Sequence, residues 1–237
     1  MSFPWIILFD WDGTLIDSLP AKVRNACRLF QQEFGISPDD VALAYRRVSG
    51  IPRKQLFAAI CADNGLPPLD DELYQRLSQR FTEMNLASLI DPNANGIVAQ
   101  ETIDTLSALK ASGYSLYVSS SADPQEIRKG ASALGLDGFF TEMMGSLPGF
   151  GKGAQHVAHV LQSQAARPEQ LIFVGDEPAD ITLGRAAGVR TVAKVGTCSP
   201  EMLSKEKPDH IIATLSELPA LLAELGVGEA NLSKLSR

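Results

Sequence analysis

The 237-residue sequence has few cysteines, lacks any long apolar run and carries fewer basic than acidic side chains. Its three cysteines, Cys27, Cys61 and Cys198, lie far apart and match no metal-binding or redox spacing, so we expect free thiols in a reducing compartment. No apolar stretch approaches the roughly 20 residues that a membrane span needs. The first apolar run ends at Asp10 without a basic flank, unlike a signal peptide. These absences predict a soluble, cytoplasmic protein without a membrane partner.

The charge balance also limits the range of possible ligands. The chain carries 28 acidic and 21 basic side chains, which gives a formal net charge of −7. Such a protein presents no general basic surface to nucleic acid or to anionic lipid, and we expect no nucleic-acid partner. Any anionic substrate must therefore be bound by a few cations that the fold places locally.

A short acidic stretch follows the first apolar run and is the clearest functional signal in the sequence. Residues 5–9 are apolar and lead directly into Asp10, Asp12 and Gly13. The run is typical of a buried strand in a parallel sheet, and the carboxyl ends of such strands border the ligand crevice. Two acids at that edge repel each other unless a cation or a shared proton relieves them. We predict that Asp10 is a nucleophile and Asp12 an acid/base beside a divalent metal; an acidic loop that only caps the strand remains the alternative.

Residues 18–90 show helical periodicity and no strand pattern. Glycine, proline and acidic residues at helix starts and ends divide this region into four amphipathic helices. The first predicted helix ends at Gly35, and the others span about residues 38–48, 53–64 and 70–86. Four consecutive amphipathic helices are typical of a small helical domain.

Strands return after residue 97 and alternate with helices. The predicted strands span about residues 114–119, 139–140, 171–174, 191–195 and 211–212, and a helix is predicted over residues 152–164. Residues 92–96 are predicted to form a loop, and the polar tail after Gly226 is expected to be loosely held. Alternation of this kind predicts a parallel sheet with helices on both faces.

The two patterns together predict an α/β fold with a doubly wound, Rossmann-like parallel sheet and an inserted helical domain. Since one strand precedes the helical region and the others follow it, residues 1–17 and 91–237 should form the core and residues 18–90 the insertion. The ends of the insertion, near residues 16–20 and 88–97, should lie close together and could act as a hinge.

Two further loops after predicted strands carry groups that suit an oxyanion. Ser119, Ser120 and Ser121 end one strand, and small hydroxyls with nearby backbone N–H groups can hold phosphate oxygens. Lys152 lies in a glycine-rich loop, at the start of the predicted helix, where a cation opposes the helix dipole. A bound anion at that place would reverse this cost. Taken singly, a solvated turn and a solvated lysine explain these loops as well.

The fourth loop, after the strand over residues 171–174, holds Asp176, Glu177 and Asp180. Helix capping explains one acid before a helix but not three. Carboxylate oxygens are hard ligands that suit Mg²⁺. If all four loops meet at one edge of the sheet, they predict a Mg²⁺-dependent site for a phosphorylated substrate.

The residues of these loops also resemble those of a known family, the haloacid dehalogenase-like phosphohydrolases. The family's first motif, Asp-x-Asp-Gly-Thr, and its fourth, Gly-Asp-x-x-x-Asp, are both present, as are the serine that ends the second motif and the lysine of the third. The matching residues are, in order, Asp10, Asp12, Gly13, Thr14, Ser119, Lys152, Gly175, Asp176 and Asp180. The resemblance covers nearly the whole chain, and the helical insertion resembles the cap of the phosphoglycolate phosphatase and β-phosphoglucomutase branch. Lys152 departs from the family's usual Lys-Pro by lying in Gly-Lys-Gly, and Trp11 replaces a common phenylalanine.

The resemblance implies a mechanism in which Asp10 attacks phosphorus and forms an aspartyl-phosphate. Asp12 would protonate the leaving alcohol and later deprotonate the hydrolytic water. Mg²⁺ would be bound by Asp10, the backbone carbonyl of Asp12 and Asp176. Asp180 belongs to the same metal-site group, where we expect it to orient water molecules or Lys152 rather than to bind the ion directly.

Other residues are expected to bind the substrate. Ser119, the backbone near Ser120, and Lys152 would hold the phosphate oxygens. Thr14, which can hydrogen-bond within its own turn, is grouped with the substrate-binding residues. In the helical insertion, Gly50 and Arg53 fall where the related branch carries a substrate-facing loop, with the neighbouring Lys54 as another possible contact and an exposed surface charge as the alternative for Arg53.

These inferences predict a Mg²⁺-dependent phosphatase that hydrolyses a small phosphorylated metabolite, such as a phosphoglycolate-like compound or a sugar phosphate. A phosphomutase of the β-phosphoglucomutase type is the alternative enzyme, because it would use the same aspartyl-phosphate. A non-catalytic phospho-ligand-binding or signalling module is less favoured, since the insertion and the paired acids argue against it. His156, His159 and His210 are expected to be surface groups.

Overall fold

The structure, a computed structural model, describes residues 5–48, 50–91 and 97–226. The predicted loop over residues 92–96 and the predicted polar tail after Gly226 lie outside these ranges. Within the described ranges, every helix is too short or too polar to cross a membrane.

A parallel sheet forms the centre of the molecule, and it has six strands in the described part of the chain. The strands are β1 (Ile6–Phe9), β2 (Ser115–Ser119), β3 (Glu142–Met144), β4 (Leu171–Gly175), β5 (Arg190–Lys194) and β6 (His210–Ile212). They lie in the order β3-β2-β1-β4-β5-β6, and all neighbouring pairs are parallel. The strand order runs outward in both directions from β1, which confirms the predicted doubly wound sheet and puts the end of β1 at its centre.

Helices cover both faces of this sheet. They are α5 (Gln100–Ala111), α6 (Pro124–Ala133), α7 (Ala154–Ser163), α8 (Pro178–Ala186), α9 (Pro200–Lys205) and α10 (Leu218–Glu224). Because side chains alternate along a strand, neighbouring residues enter two separate apolar layers: Phe9 lies in one cluster and Leu8 in another. Burial on both faces explains the continuous apolar sequence of β1 and β4.

The four helices of the insertion have an apolar core of their own. They are α1 (Leu19–Phe34), α2 (Pro38–Arg47), α3 (Arg53–Asp63) and α4 (Asp71–Leu89). Phe57 lies at the centre of this core, with its ring 5.1 Å from that of Phe30 and 5.5 Å from that of Phe81, both edge to face. This separate cluster fits a helical unit, while the boundaries of that unit, at residues 18 and 90, stay a prediction.

Two predicted elements are placed differently in the structure. The predicted strand at residues 139–140 is wrong: a 3₁₀ turn spans Asp137–Phe139, and β3 follows at Glu142–Met144. The two phenylalanines pack against the core from this turn, and β3 buries only Met144. The helix predicted to begin at Lys152 begins at Ala154, since Gly153 has a φ of 96°, which a helix does not allow.

Candidate active site

The end of β1 delivers the first pair of acids to the centre of the sheet edge. Asp10 continues the sheet, because its N–H donates to the carbonyl oxygen of Val174 at 2.8 Å. The chain then turns at Gly13, which has a φ of 85°. A Cβ atom at this position would lie 2.1 Å from Oδ2 of Asp176. Glycine is therefore required both for the turn and for the close approach of the loop after β4.

Three buried carboxylates from β1 and the loop after β4 meet at this edge. Asp10, Asp176 and Asp180 each place a carboxylate oxygen within 4.8 Å of the others. Lys152 reaches into the group, with Nζ 2.7 Å from Asp10 and 2.5 Å from Asp180. Lys152 lies in the loop ahead of α7 and not in the helix. The main electrostatic contacts of its ammonium are therefore the two carboxylates and not the helix dipole. The predicted convergence of the first, third and fourth loops is thus observed in the geometry.

The cluster is buried and carries more negative than positive charge, and both features shift the pKa values of its members. Burial is the main cause that raises the pKa of Asp10 well above its usual range, and Lys152 only partly offsets it. Burial, with a contribution from Asp180, raises the pKa of Asp176 to about 6. Burial would lower the pKa of Lys152, but the charges of Asp10 and Asp180 outweigh it and raise that pKa. Additional positive charge would therefore stabilise the ionised carboxylates.

The donor set suits a hard divalent cation. Oδ1 of Asp176 accepts a hydrogen bond from the Thr14 hydroxyl at 2.6 Å, whereas its Oδ2 is buried and makes no hydrogen bond within the described part of the chain. A buried carboxylate oxygen without a donor is costly unless a cation neutralises it. Carboxylates that surround such a position are the ligands that Mg²⁺ and similar ions prefer.

Helix capping accounts for part of the acidic loop after β4. Glu177 is the N-cap of α8, and Asp180 occupies the third helical position in a reciprocal capping box. The N–H of Glu177 donates to Oδ2 of Asp180 at 3.1 Å, which leaves Oδ1 of Asp180 to face Lys152. Asp176 takes no part in this capping and points to the acidic cluster.

Asp12 lies beside this cluster but has different partners. Its Oδ2 is 2.6 Å from Nζ of Lys22, and its Oδ1 accepts a hydrogen bond from the Ser18 hydroxyl. The side chain is about a quarter exposed, and Asp12 and Asp10 line the same cleft between the sheet edge and the helical insertion. Asp12 is thus accessible from the cleft, where an acid/base would have to be.

Six of the predicted site residues line this cleft: Asp10, Asp12, Gly50, Arg53, Ser120 and Lys152. Gly50 closes it from the insertion, because its carbonyl oxygen accepts a hydrogen bond from the Ser121 hydroxyl at 2.9 Å. A Cβ atom at Gly50 would lie 1.8 Å from Oε2 of Glu177, and the glycine has a φ of 83°. Lys54 points elsewhere: its side chain is exposed and pairs with Asp71 at 2.8 Å.

The side chains of Thr14 and Ser119 do not line the cleft and contact other residues instead. The Thr14 hydroxyl donates to Asp176, as described above. The Ser119 side chain is fully buried, with its Oγ 2.9 Å from Nδ1 of His156. The prediction that His156 is a surface group is wrong: it is fully buried on α7, and burial lowers its pKa to about 4, so the ring is neutral at pH 7.

Sequence reasoning missed two residues near this cleft: Lys22, which lines it, and Glu126, which is buried behind it. Glu126 is fully buried on α6, where it pairs with Lys22 at 2.8 Å and with Arg53 at 2.5 Å. Glu126 stands three residues after the N-cap Asp123, so its spacing indicates a helix cap rather than an ion pair. Its partners come from α1 and α3, which only the tertiary fold brings near.

The comparisons with known proteins agree with this architecture. Residues 7–194 match the family model described as haloacid dehalogenase-like hydrolase. The phosphoglycolate phosphatase of Pasteurella multocida is 27% identical over 228 residues, which cover 92% of this chain and 97% of the relative. A predicted phosphoglycolate phosphatase from Haemophilus somnus has the same fold, with a TM-score of 0.75 and 24% identity. The match covers 93% of this chain and 99% of the solved chain. A β-phosphoglucomutase from Clostridium difficile also shares the fold, with a TM-score of 0.76 and 17% identity. This match covers 97% of this chain and 99% of the solved chain.

Proposed function

The chain belongs to the haloacid dehalogenase-like hydrolases and is a phosphatase, and we propose that it is a Mg²⁺-dependent enzyme of the cytoplasm that hydrolyses a small phosphorylated metabolite. The observation that carries this proposal is the buried group of Asp10, Asp176 and Asp180 with Lys152. Phosphoryl transfer requires positioning and charge neutralisation above all. A phosphoglycolate-like compound or a sugar phosphate is the substrate class that the relatives and the small cleft support.

Asp10, the backbone carbonyl of Asp12, and Asp176 are the groups that would hold Mg²⁺. When bound, the ion would offset the repulsion between the Asp10 carboxylate and the phosphate oxygens. Asp180 has one oxygen in the capping box and the other on Lys152, which supports its role as an orienting group rather than a direct ligand. The buried Oδ2 of Asp176, which makes no hydrogen bond to the described residues, supports a direct role for Asp176 as a ligand.

In the proposed reaction, a carboxylate oxygen of Asp10 attacks phosphorus as the bond to the leaving oxygen breaks. Asp12 gives that oxygen a proton, so that the product leaves as a neutral alcohol. Asp12 then takes a proton from water, which attacks the aspartyl-phosphate and regenerates Asp10 with release of inorganic phosphate. The position of Asp12 beside Asp10 on the cleft supports this double role.

The remaining predicted residues would bind the substrate around this reacting pair. Lys152 and the strand end at Ser119 and Ser120 would hold phosphate oxygens, with Thr14 supporting Asp176 beneath them. Gly50 and Arg53 would close the cleft from the helical unit, residues 18–90, against the core formed by residues 1–17 and 91–237. Closure would exclude water from the transfer to Asp10.

Trapping of the phosphorylated enzyme tests this proposal. The protein is mixed with a ³²P-labelled phosphate monoester and Mg²⁺, quenched in acid and mapped by peptide mass spectrometry. We expect the label on the peptide that contains Asp10, its loss on treatment with hydroxylamine, and release of inorganic phosphate in the steady state. Label at another residue would contradict the assigned nucleophile, and return of the phosphoryl group to a sugar phosphate without net release would identify the phosphomutase alternative.

A further inference from the structure

A second group of buried charges lies beside the acidic cluster, where the helical insertion meets α6. Its centre is Glu126, whose side chain is fully buried. Oε1 of Glu126 is 2.8 Å from Nζ of Lys22, and Oε2 is 2.5 Å from the Arg53 guanidinium. The amide nitrogen of Asn85 lies 3.4 Å from both carboxylate oxygens. A carboxylate of the core is therefore held by two cations from the insertion.

Lys22 and Arg53 both line the cleft, and Lys22 contacts Asp12, the residue that would protonate the leaving group. Neither has its charge free for a ligand. Lys22 is shared between Glu126 and Asp12, the latter at 2.6 Å. The other amino group of Arg53 donates to the Thr82 hydroxyl at 2.6 Å and to the carbonyl oxygen of Ser78 at 3.1 Å. The cations that could meet a second anionic group of a substrate are thus already paired.

The charges of this group balance, since Asp12 and Glu126 face Lys22 and Arg53. A leaving group with a carboxylate would have to take one of these cations from Glu126. That exchange would leave a buried carboxylate with an incomplete set of partners, which is strongly unfavourable. A hydroxyl group can instead accept or donate a hydrogen bond without displacing an ion pair. The other side chains of the insertion that line the cleft are mostly apolar, as in Leu19, Leu56 and Phe81, and Tyr45 adds one phenol.

We propose that Glu126 sets the substrate preference of this phosphatase, by pairing with Lys22 and Arg53 so that the cleft favours monoesters whose leaving alcohol is uncharged over those whose leaving alcohol carries a carboxylate or a second phosphate. Glu126 does not line the cleft and acts through its two partners, so it is a positioning residue. The inference rests on the proposed function and narrows its substrate class to phosphates of neutral polyols and sugars.

A matched pair of substrates tests this directly, with Mg²⁺ present throughout. 2-Hydroxyethyl phosphate and 2-phosphoglycolate are nearly equal in size and differ in a hydroxymethyl group against a carboxylate. We expect wild-type kcat/KM to be at least about tenfold higher for 2-hydroxyethyl phosphate. In Glu126→Gln, which removes the charge and keeps the shape, the ratio should shift by about tenfold or more towards 2-phosphoglycolate.

Two further variants separate charge from structure. Glu126→Asp retains the negative charge, and we expect it to keep the preference for the neutral substrate. Glu142→Gln makes the same chemical change at an exposed carboxylate that pairs with His159 and does not line the cleft, and its substrate ratio should equal that of the wild type. A merely structural role of Glu126 would lower activity on both substrates together and leave their ratio unchanged.

The outcomes distinguish this inference from the proposed function. Equal use of both substrates by the wild type, or a preference for 2-phosphoglycolate, would overturn the inference. Hydrolysis of p-nitrophenyl phosphate in the same assay would then show that the proposed function still holds. If no monoester is hydrolysed, the proposed function fails and the inference fails with it. Should Glu126→Gln not fold, as judged by circular dichroism, the wild-type ratio alone decides.

Discussion

The cleft joins two groups of buried charges that differ in how far their charges balance. At the end of β1, three carboxylates lie together with one ammonium: Lys152 pairs with Asp10 and Asp180, and Asp176 lies beside them. The formal sum is −2, and the pKa values of Asp10 and Asp176 are raised mainly because of burial, with a further contribution from neighbouring carboxylates. One buried oxygen of Asp176 makes no hydrogen bond to the described residues. This group therefore has an excess of negative charge that a further cation would offset.

The second group, where the insertion meets α6, is complete by itself. Two carboxylates, Asp12 and Glu126, face two cations, Lys22 and Arg53, and the formal sum is zero. Burial would raise the pKa of Glu126, but the two cations outweigh it and hold that pKa below its usual range. The comparison shows that buried acids alone do not indicate a metal site. We propose that a cation binds the unbalanced group, whereas the balanced group limits which substrates the cleft accepts.

Substitution of the proposed nucleophile should have the largest effect. We expect Asp10→Asn to lower Mg²⁺-dependent hydrolysis of p-nitrophenyl phosphate by roughly a thousandfold or more, because an amide cannot form the acyl phosphate. Asp104→Asn, at an exposed residue of α5, makes the same change away from the cleft and should retain wild-type activity. Activity near wild type in Asp10→Asn, measured on folded protein, would remove the assigned nucleophile.

Removal of one lysine from each group sharpens the comparison. Lys152→Met leaves Asp10 and Asp180 without a cation, and Lys22→Met leaves Asp12 without one and Glu126 with Arg53 alone. Each variant should therefore lower the free energy of unfolding in chelator, by about 3–5 kcal/mol for a buried pair that is broken. Saturating Mg²⁺ should restore most of this loss in Lys152→Met, because the ion can replace the missing charge, and little of it in Lys22→Met. Urea unfolding with and without Mg²⁺ measures both. Equal recovery of the two variants would contradict the distinction between the groups.

The pH dependence of stability in chelator should show that ionisation of Asp176 is unfavourable in the folded protein. Asp176 has a pKa of about 6 in the folded protein against an ordinary value of 3.8, so the folded state holds its proton more tightly. Its contribution to stability is therefore present below about pH 4 and is lost as the pH rises through about 6. The free energy of unfolding of the wild type, minus that of Asp176→Asn, should fall by up to about 3 kcal/mol across this window. A difference that rises with pH would refute the assignment.

The smallest predicted effect concerns metal affinity. Asp176→Asn should raise the Mg²⁺ concentration for half-maximal activity by about ten- to a hundredfold, since a neutral amide is a weaker ligand than a carboxylate. Glu126→Gln removes a buried carboxylate from the balanced group and should leave this concentration unchanged. A Mg²⁺ titration of residual activity measures both variants. A similar shift in the two variants would mean that the groups do not act separately.

Much of the sheet could be predicted from the sequence, because continuous apolar runs such as those of β1 and β4 are buried on both faces and end in acids or glycine. The same reasoning places Asp10, Lys152 and Asp176 at one edge, since the carboxyl ends of parallel strands converge. The edge strand β3 escaped prediction: it has three residues and buries only Met144, so it carries no periodic signal.

The balanced group could not be predicted, for a different reason. Asp12 and Arg53 are predicted site residues, but their pairing with Lys22 and Glu126 is not predicted. Lys22, Arg53 and Glu126 come from three helices distant in sequence, and Lys22 looks locally like an ordinary surface charge and Glu126 like a helix cap. His156 is missed in the same way, because one histidine in a helical pattern does not show which face is buried. Pairings made by tertiary packing leave no local pattern, whereas those made at strand ends do.

We expect one divalent ion to bind the unbalanced group of Asp10, Asp176, Asp180 and Lys152, and none to bind the balanced group around Glu126. Crystals of the protein soaked in Mn²⁺, with data collected to record its anomalous scattering, test this most directly. We predict one anomalous peak at this edge of the sheet, in contact with the carboxylates of Asp10 and Asp176, and none at Glu126. A peak at Glu126, or Mn²⁺ bound without Asp10 and Asp176, would contradict the account.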